Sequence, residues 1–172
     1  VHNRQPIWAD YRSYQYSAMD DDQVLQAVDV TLSDTSEMFK IKTRMTGHGH
    51  NGSVNCCEWD SKDHTIKING VDRFTWEIWE ELACGENPNP RQGGTWPYAR
   101  EGWCPGDMVR EYDHELTPYV NPGETITIDY DIEDIPVNDQ AQGNGNYVVA
   151  MDLISYSAPN FQHDVALVDI LN

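Results

Sequence analysis

Apolar and polar residues alternate over much of the chain, and this alternation is the main signal for its structure. Residues 39–45 alternate apolar side chains or Thr with basic ones, and residues 124–132 repeat the same period. A period of two places successive side chains on opposite faces of a β-strand. Further strands are predicted where β-branched and aromatic residues are concentrated, at 24–32, 65–68, 146–156 and 163–171.

Turn-forming residues separate these segments. Asn69-Gly70 follows the strand predicted at 65–68. This pair is the strongest short signal for a hairpin, because both turn positions require a positive φ. A second turn is predicted at Asn121-Pro122-Gly123, directly before the strand at 124–132.

Two segments do not follow the strand pattern. Residues 74–84 mix the helical and the strand period, so the sequence leaves both structures open there. Residues 85–106 are rich in Pro and Gly and are predicted to form a long loop. Loops of that length inside a domain are usually functional or cross-linked.

Short strands separated by turns predict an all-β protein. The sequence favours one antiparallel jelly-roll sandwich of about eight strands, with the long loop closed by a disulfide. We expect residues 1–172 to form this as a single domain, because the length suits one domain of ordinary size.

The charge restricts the partners that the chain can have. Its 172 residues include 11 Lys and Arg against 29 Asp and Glu, a net charge of -18. Such an acidic chain offers no basic patch for phosphates, so neither nucleic acid nor an anionic membrane surface is expected as a partner. No apolar run approaches the ~20 residues that a membrane-spanning helix needs, so membrane insertion is not expected either.

The cysteines and aromatic residues add two expectations. An even number of cysteines, 4 in all, favours an oxidising location, so we expect a secreted, periplasmic or cell-surface protein. The chain has 6 Trp and 9 Tyr against 3 Phe. Rings with a polar atom suit half-exposed positions, which are found both in sugar-binding clefts and in the outer layer of a β core.

His48 and His50 form the first group with candidate chemistry. They lie two residues apart after the strand predicted at 39–45. Residues two apart lie on the same side of an extended chain, so both side chains can reach one metal ion. The alternative is an ordinary pair of histidines on a surface loop.

Glu58 is the second candidate, because it lies between Cys57 and Trp59. An apolar wall disfavours the anionic form of a carboxyl group, which suits a general acid or base. The same side chain can instead hold a hydroxyl or an amide of a substrate. The alternative is a strand glutamate that faces solvent.

The third candidate is the loop between Cys84 and Cys104. A disulfide between its two ends would hold four side chains in a rigid set: Trp96, Tyr98, Arg100 and Trp103. Aromatic rings combined with the fork of donors on an arginine are typical of sites for sugars or amides.

The motifs of this loop resemble those of the C-terminal domain of the peptide-N-glycosidase F family. They are Gly93-Gly94-Thr95-Trp96 and Arg100-x-Gly102-Trp103-Cys104-Pro105-Gly106. Gly47-His48-Gly49 and Cys56-Cys57-Glu58-Trp59 precede them in the order and spacing of that family. The motif-bearing core covers about residues 39–156.

The resemblance implies an enzyme that hydrolyses the amide between an Asn side chain and the first N-acetylglucosamine of an N-glycan. It implies two adjacent jelly rolls with the site in the cleft between them, a fold shared with copper-dependent peptidylglycine α-hydroxylating monooxygenases. Within the second roll it implies catalytic roles for Glu58 and Arg100 and a disulfide between Cys84 and Cys104. Residues that the resemblance implies for substrate binding are Trp59 and Trp103. Trp96 and Tyr98 of the same loop, together with His48, are further candidates for substrate binding.

The chain departs from the family pattern in two places. The principal catalytic aspartate of the family lies in the first roll, for which this chain has no room. The family also pairs two cysteines across the glutamate, but Asp60 stands at the second of these positions and Cys57 is additional. Cys56 and Cys57 are therefore free, joined to each other, or paired outside the chain.

Three hypotheses follow. The first is a secreted module of a larger protein that is not catalytic alone and binds glycans or has a structural role. The second is the working part of a peptide-N-glycosidase that needs an aspartate from a missing domain. The third is a copper-binding, monooxygenase-like domain that uses His48, His50 and Met151; the first two need no cofactor. The expected partners are an N-glycan or glycoprotein, a neighbouring jelly-roll domain, or an identical subunit.

Overall fold

Two antiparallel sheets face each other in the computed structural model. It describes residues 1–9, 11–49, 56–81, 84–87, 89, 92–134 and 145–158. The first sheet contains β1 (Asn3–Pro6), β2 (Arg12–Gln15), β4 (Met38–His48), β7 (Tyr112–Glu115) and β9 (Asn146–Tyr156). The second contains β3 (Val28–Thr31), β5 (Asp63–Ile68), β6 (Val71–Glu77) and β8 (Thr125–Ile132). Helix α1 (Tyr16–Asp20) and a 3₁₀ turn (Thr117–Tyr119) complete the described elements.

The strand order is that of a sandwich with crossed connections. The first sheet has the order β1-β9-β4-β7, and β2 also pairs with β9. The second has the order β3-β8-β5-β6. The predicted class, an all-β antiparallel jelly roll, is confirmed, with nine strands among the described residues instead of about eight.

The long alternating segments are the ones that the sequence located best. β4, β8 and β9 match the predicted segments to within a few residues. β4 and β8 bury every second residue over much of their lengths, whereas β9 is buried on both faces from 149 to 155. Asn69 and Gly70 form the predicted hairpin turn with φ values of 52° and 76°. Alternation fixes the register of β4 and β8, because a shift by one residue would turn their apolar side chains toward solvent.

Other predictions were less accurate. The strand predicted at 24–32 is confined to Val28–Thr31, and the ambiguous segment from 74 onward is the end of β6, which stops at Glu77. The strand predicted at 163–171 lies outside the described residues. The short elements β1, β2, α1 and β7 were not predicted, because segments of four or five residues carry too few positions to show a period.

The core is formed by the facing sides of the two sheets. One sheet contributes Phe39, Ile41, Met45, Tyr147, Val149, Met151 and Leu153. The other contributes Val30, Ile66, Ile68, Ile126, Ile128 and Ile132. No helix in the part of the chain that the structure describes is long and apolar enough to cross a membrane.

Two glycines let other segments approach β4 at its C-terminal end. A Cβ atom on Gly47 would lie 2.0 Å from the carbonyl oxygen of Cys57. A Cβ atom on Gly102, which has a φ of 78°, would lie 2.4 Å from the carbonyl oxygen of Met45. The segments that carry Glu58 and Trp103 therefore pack directly on the backbone of this strand, which places the two motifs side by side.

Candidate functional site

Arg100 and Glu58 form an ion pair at this end of the sandwich. The guanidinium Nε lies 3.0 Å from Oε1 of Glu58. The Arg100 side chain is 4% exposed and the Glu58 side chain 20%, so the carboxylate is the accessible member of the pair. A charged hydrogen bond that is largely shielded from water fixes the orientation of the carboxylate.

Every N–H of the Arg100 guanidinium has a partner. Besides the Nε bond to Glu58, Nη1 donates to the carbonyl oxygens of Trp96 and Tyr98, and Nη2 donates to the carbonyl and hydroxyl oxygens of Thr95. These bonds use all five donors that an arginine has. The guanidinium therefore closes the loop around itself and directs one donor at Glu58.

Two tryptophans cover the Arg100 guanidinium. Its central carbon lies 4.5 Å from the ring centroid of Trp59 and 5.0 Å from that of Trp103. Both distances allow cation–π attraction. Tyr98, which is 60% exposed, meets the Trp59 ring edge-on at 6.3 Å. The rings thus form a partly open aromatic surface beside the Glu58 carboxylate.

The long loop is closed as the resemblance implies. Cys84 and Cys104 are joined, with Cα atoms 4.9 Å apart. The Asn87 side chain donates to the carbonyl oxygen of Pro105 at 2.6 Å, and the Gln92 side chain donates to the same oxygen at 2.7 Å. A disulfide and side-chain hydrogen bonds together hold a segment whose described residues form no strand.

Cys56 and Cys57 are joined to each other, which decides among the three alternatives that the sequence left open. Both are fully buried. The backbone N–H groups of Cys57 and Glu58 both donate to the carbonyl oxygen of Gly49, at 3.1 and 3.0 Å. A disulfide between neighbouring residues therefore immediately precedes Glu58, in place of the pair of cysteines that flank this glutamate in the family.

His48 lies beside the aromatic cluster. Its Nε2 is 2.7 Å from the hydroxyl of Thr46, and its ring centroid is 5.2 Å from that of Trp103. Burial lowers the pKa of His48, and the negative charge of Glu58 opposes that shift. His48 is therefore within electrostatic range of Glu58, as expected of a residue of the same site.

The copper hypothesis stays a prediction. His50 lies outside the described residues, and Nε2 of His48 is engaged by Thr46. Met151 is buried in the core and pairs with Thr43, while His48 pairs with Asn146. Five residues of strand separate the two positions, about 16 Å at the usual rise per residue. Among the residues that can be described, no group of three His, Cys, Asp or Glu side chains is arranged to hold a metal ion.

A buried polar cluster lies directly behind this site and was not predicted. Glu101, fully buried, places Oε1 3.3 Å from Nε2 of His64, and Nδ1 of His64 lies 2.7 Å from the Tyr130 hydroxyl. The Tyr147 hydroxyl donates to the same Glu101 oxygen at 3.5 Å. One signal was available in the sequence, since His64 occupies a core-facing position in the alternation of β5.

Burial dominates the titration of this cluster. It raises the pKa of Glu101 to about 8 and lowers the pKa of His64 to about 3. It also raises the pKa values of Tyr130 and Tyr147 well above the ordinary range. The cluster is therefore held together chiefly by hydrogen bonds between uncharged groups at neutral pH.

The structure thus brings together Glu58, Arg100, Trp59, Trp103, Tyr98 and His48, and it places Trp96 in the same loop through its carbonyl oxygen. This is an antiparallel jelly roll that carries a shielded arginine–glutamate pair under a disulfide-closed aromatic loop.

Comparisons with known proteins agree with that class. The chain matches the family described as Peptide-N-glycosidase F, C terminal, over residues 15–155. It therefore belongs to this family.

The relatives are longer than this chain. Peptide-N(4)-(N-acetyl-beta-D-glucosaminyl)asparagine amidase F of Elizabethkingia miricola is 30% identical over an alignment of 134 residues, and the match covers 74% of this chain and 37% of the relative. The solved structure of PNGase F, a glycosylasparaginase from Flavobacterium meningosepticum, superposes with a TM-score of 0.73 at 25% identity. The match covers 91% of this chain and 52% of that one, so the chain spans about half the length of this relative. PNGF-II, at 19% identity and a TM-score of 0.62, shares the fold.

Proposed function

We propose that this chain is the glycan-binding half of a secreted peptide-N-glycosidase-like protein and is not catalytic alone. Its partner is the N-glycan of a glycoprotein. The observation that carries the proposal is the Glu58 carboxylate, which Arg100 orients and which remains the accessible member of the pair. Family membership and the likeness to solved amidase structures support the choice of an N-glycan.

In this proposal Glu58 accepts hydrogen bonds from the sugar next to the scissile amide. A carboxylate accepts hydrogen bonds from hydroxyl groups and from the N–H of an N-acetyl group. The rings of Tyr98 and Trp59 provide an apolar surface on which the sugar can pack. Arg100 acts on Glu58 and not on the substrate, because its five donors are already used. It is a positioning residue rather than a ligand of the amide oxygen.

Hydrolysis of the amide needs a further group that activates water. Water must lose a proton as it attacks the carbonyl, and a second carboxylate placed near the amide supplies the base. The resemblance implies an aspartate of a neighbouring jelly roll for this step. We therefore assign binding and orientation to this chain, and the attack on the amide to a site completed by that roll.

Binding is tested by calorimetric titration of the chain with N,N′-diacetylchitobiose, the disaccharide at the base of an N-glycan. We expect Glu58→Gln to weaken binding about tenfold or more, because a charged hydrogen bond is worth roughly 1.5–3 kcal/mol. Glu37→Gln is the matched control, since Glu37 is exposed and immediately precedes β4, whose opposite end carries His48. No binding by the unaltered chain, together with self-association, would favour a structural module instead.

Catalysis is tested by glycan release from a denatured glycopeptide. We expect none from the chain alone and release from a chimera in which the first half of the Elizabethkingia miricola amidase precedes it. In the chimera, Glu58→Gln should lower kcat/KM while Glu37→Gln leaves it unchanged. Release by the isolated chain would contradict the assignment of a half-site and would establish the chain as an autonomous enzyme.

A further inference from the structure

Glu101 connects the segments that carry the candidate site. Its backbone N–H donates to the carbonyl oxygen of Glu58 at 3.1 Å, and its carbonyl oxygen accepts from the N–H of Gly47 at 2.8 Å. Arg100 precedes it, and the Trp103 indole two residues later donates to the carbonyl oxygen of Gly47 at 2.9 Å. The position of the Glu101 backbone therefore affects both members of the ion pair and one of the rings that cover it.

The Glu101 side chain is anchored in the core on the other side of this backbone. Its Oε1 lies 3.3 Å from Nε2 of His64 in β5, accepts from the backbone N–H of Lys62 at 3.3 Å, and accepts from Tyr147 in β9 at 3.5 Å. His64 is bonded in turn to Tyr130 in β8. Strands of both sheets thus hold one oxygen of this side chain.

Stability alone does not explain this arrangement. Oε2 of Glu101 is buried without a hydrogen-bond partner among the described residues, and a buried polar atom in that condition is destabilising. A leucine would fill a similar volume without that cost. A leucine would not fix the orientation of this segment, because apolar packing tolerates small shifts. Directional hydrogen bonds from several elements do not tolerate them.

We propose that Glu101 is a positioning residue of the candidate site. Its buried hydrogen bonds to His64, Tyr147 and the Lys62 backbone fix residues 100–103, and through them the Glu58 carboxylate and the Trp103 indole. Its effect on ligand binding rests on the glycan-binding function proposed above. Its effect on the geometry of the site does not depend on the ligand.

The test uses two substitutions with opposite expectations. Burial raises the pKa of Glu101 to about 8, so the group is largely uncharged at pH 7 and Glu101→Gln is its closest analogue. Glu101→Leu keeps a similar side-chain volume and removes all of the side-chain hydrogen bonds, while the backbone bonds of this residue can still form. We expect the glutamine to preserve the geometry and the leucine to lose it while remaining folded.

Hydrogen exchange of the Trp103 indole N–H, followed by NMR, reports the geometry without any ligand. Trp103→Phe assigns the signal. We expect exchange to be about tenfold faster in Glu101→Leu and within about threefold of the parent in Glu101→Gln. Ile126→Ala is the control for a general loss of stability, since Ile126 is buried in β8 about 13 Å along the strand from Tyr130.

Titration with N,N′-diacetylchitobiose then reports the consequence for binding. We expect Glu101→Leu to bind the sugar about tenfold more weakly than the unaltered chain. Glu101→Gln should keep most of the affinity of the unaltered chain. If the unaltered chain does not bind this sugar, the proposed function fails, while the exchange measurement still tests the positioning role. The proposal is overturned if Glu101→Leu leaves Trp103 exchange no faster than in Ile126→Ala, or if Glu101→Gln accelerates it as much as leucine does.

Discussion

Residues 100–103 each make a close contact with a neighbouring segment around the candidate site. The carbonyl oxygen of Arg100 accepts from the N–H of Glu80 at 2.9 Å, and Glu101 bonds both Glu58 and Gly47 through its backbone. Gly102 lies against β4, and Trp103 bonds the same strand through its indole. Four consecutive residues with separate contacts make this segment sensitive to single substitutions.

At this scale the first prediction concerns Glu101 and pH. Its pKa is raised from 4.5 to about 8, so between these values the folded chain keeps a proton that the unfolded chain has lost. The free energy of unfolding therefore falls as pH rises. The lowered pKa values of His64 and His114, about 3 and about 4 against an ordinary 6.5, act in the opposite direction until unfolded histidine has lost its proton above about pH 7.5, and the lowered pKa of His48 adds to this effect.

The difference between the unaltered chain and Glu101→Gln from pH 6.5 to 8 therefore isolates Glu101, because the histidines contribute equally to both. We expect the unaltered chain to lose about 1.6 kcal/mol more stability than Glu101→Gln across this window, since one proton is worth about 1.4 kcal/mol per pH unit and Glu101 is half titrated at its end. Glu101→Gln should remove this loss, whereas Glu37→Gln should keep it. Urea unfolding at several pH values provides the measurement, and parallel pH profiles for Glu101→Gln and the parent would contradict the assignment.

The second prediction concerns Gly102. An alanine here would need an unfavourable φ of 78° and would place its Cβ 2.4 Å from the backbone oxygen of Met45. We expect Gly102→Ala to destabilise the chain by at least about 2 kcal/mol in urea unfolding. Gly93→Ala is the control, because a Cβ there meets nothing within 4 Å and should change stability by less than about 0.5 kcal/mol. Equal effects would mean that the tight approach at Gly102 relaxes without cost.

Among the elements, the loop between Cys84 and Cys104 differs most from its surroundings. Its described residues are held by the disulfide, by Arg100, by the carbonyl of Pro105 and by hydrogen bonds of Glu101 to β4, β5 and β9. Trp79 and Glu101 form its single ladder contact among the residues described, an isolated bridge. Among its described residues the loop is therefore supported by one disulfide and by single hydrogen bonds, not by a continuous strand ladder.

At this scale we predict that removal of the Cys84–Cys104 disulfide lowers stability by about 3 kcal/mol. The bond closes a loop with a sequence separation of 20, and chain entropy gives roughly this value. The measurement is urea unfolding of Cys84→Ala/Cys104→Ala. Cys56→Ala/Cys57→Ala is the comparison, because a disulfide between neighbours closes almost no loop. Equal losses would show that packing of the sulfur atoms, and not loop closure, dominates.

For the whole molecule, charge is the main electrostatic property. Acidic residues number 29 against 11 Lys and Arg. Three of the basic side chains are already paired on the outer face of the first sheet, where Lys40, Lys42 and Arg44 meet Glu111, Asp113 and Glu115. The remaining excess of carboxylates repels itself in the folded state.

We therefore predict that salt stabilises the chain. Raising NaCl from about 10 mM to 500 mM shortens the screening length from about 30 Å to below 10 Å, so the repulsion weakens. The melting temperature, followed by circular dichroism, should rise by several degrees. KCl should give the same rise if screening is the cause. A fall in melting temperature would mean that the surface ion pairs outweigh the repulsion.

The sequence by itself determined the all-β class, the long strands β4, β8 and β9, the hairpin at Asn69-Gly70 and the motifs around Glu58 and Arg100. These features are local, since a period of two, a turn pair and a motif are each complete within a short segment.

Only the tertiary structure decided that all five Arg100 donors are used, that Cys56 bonds Cys57, and that Glu101, His64, Tyr130 and Tyr147 meet. These groups come from segments far apart in the chain, and the pairing of the two sheets brings them together. Their burial, which sets their pKa values, exists only after folding.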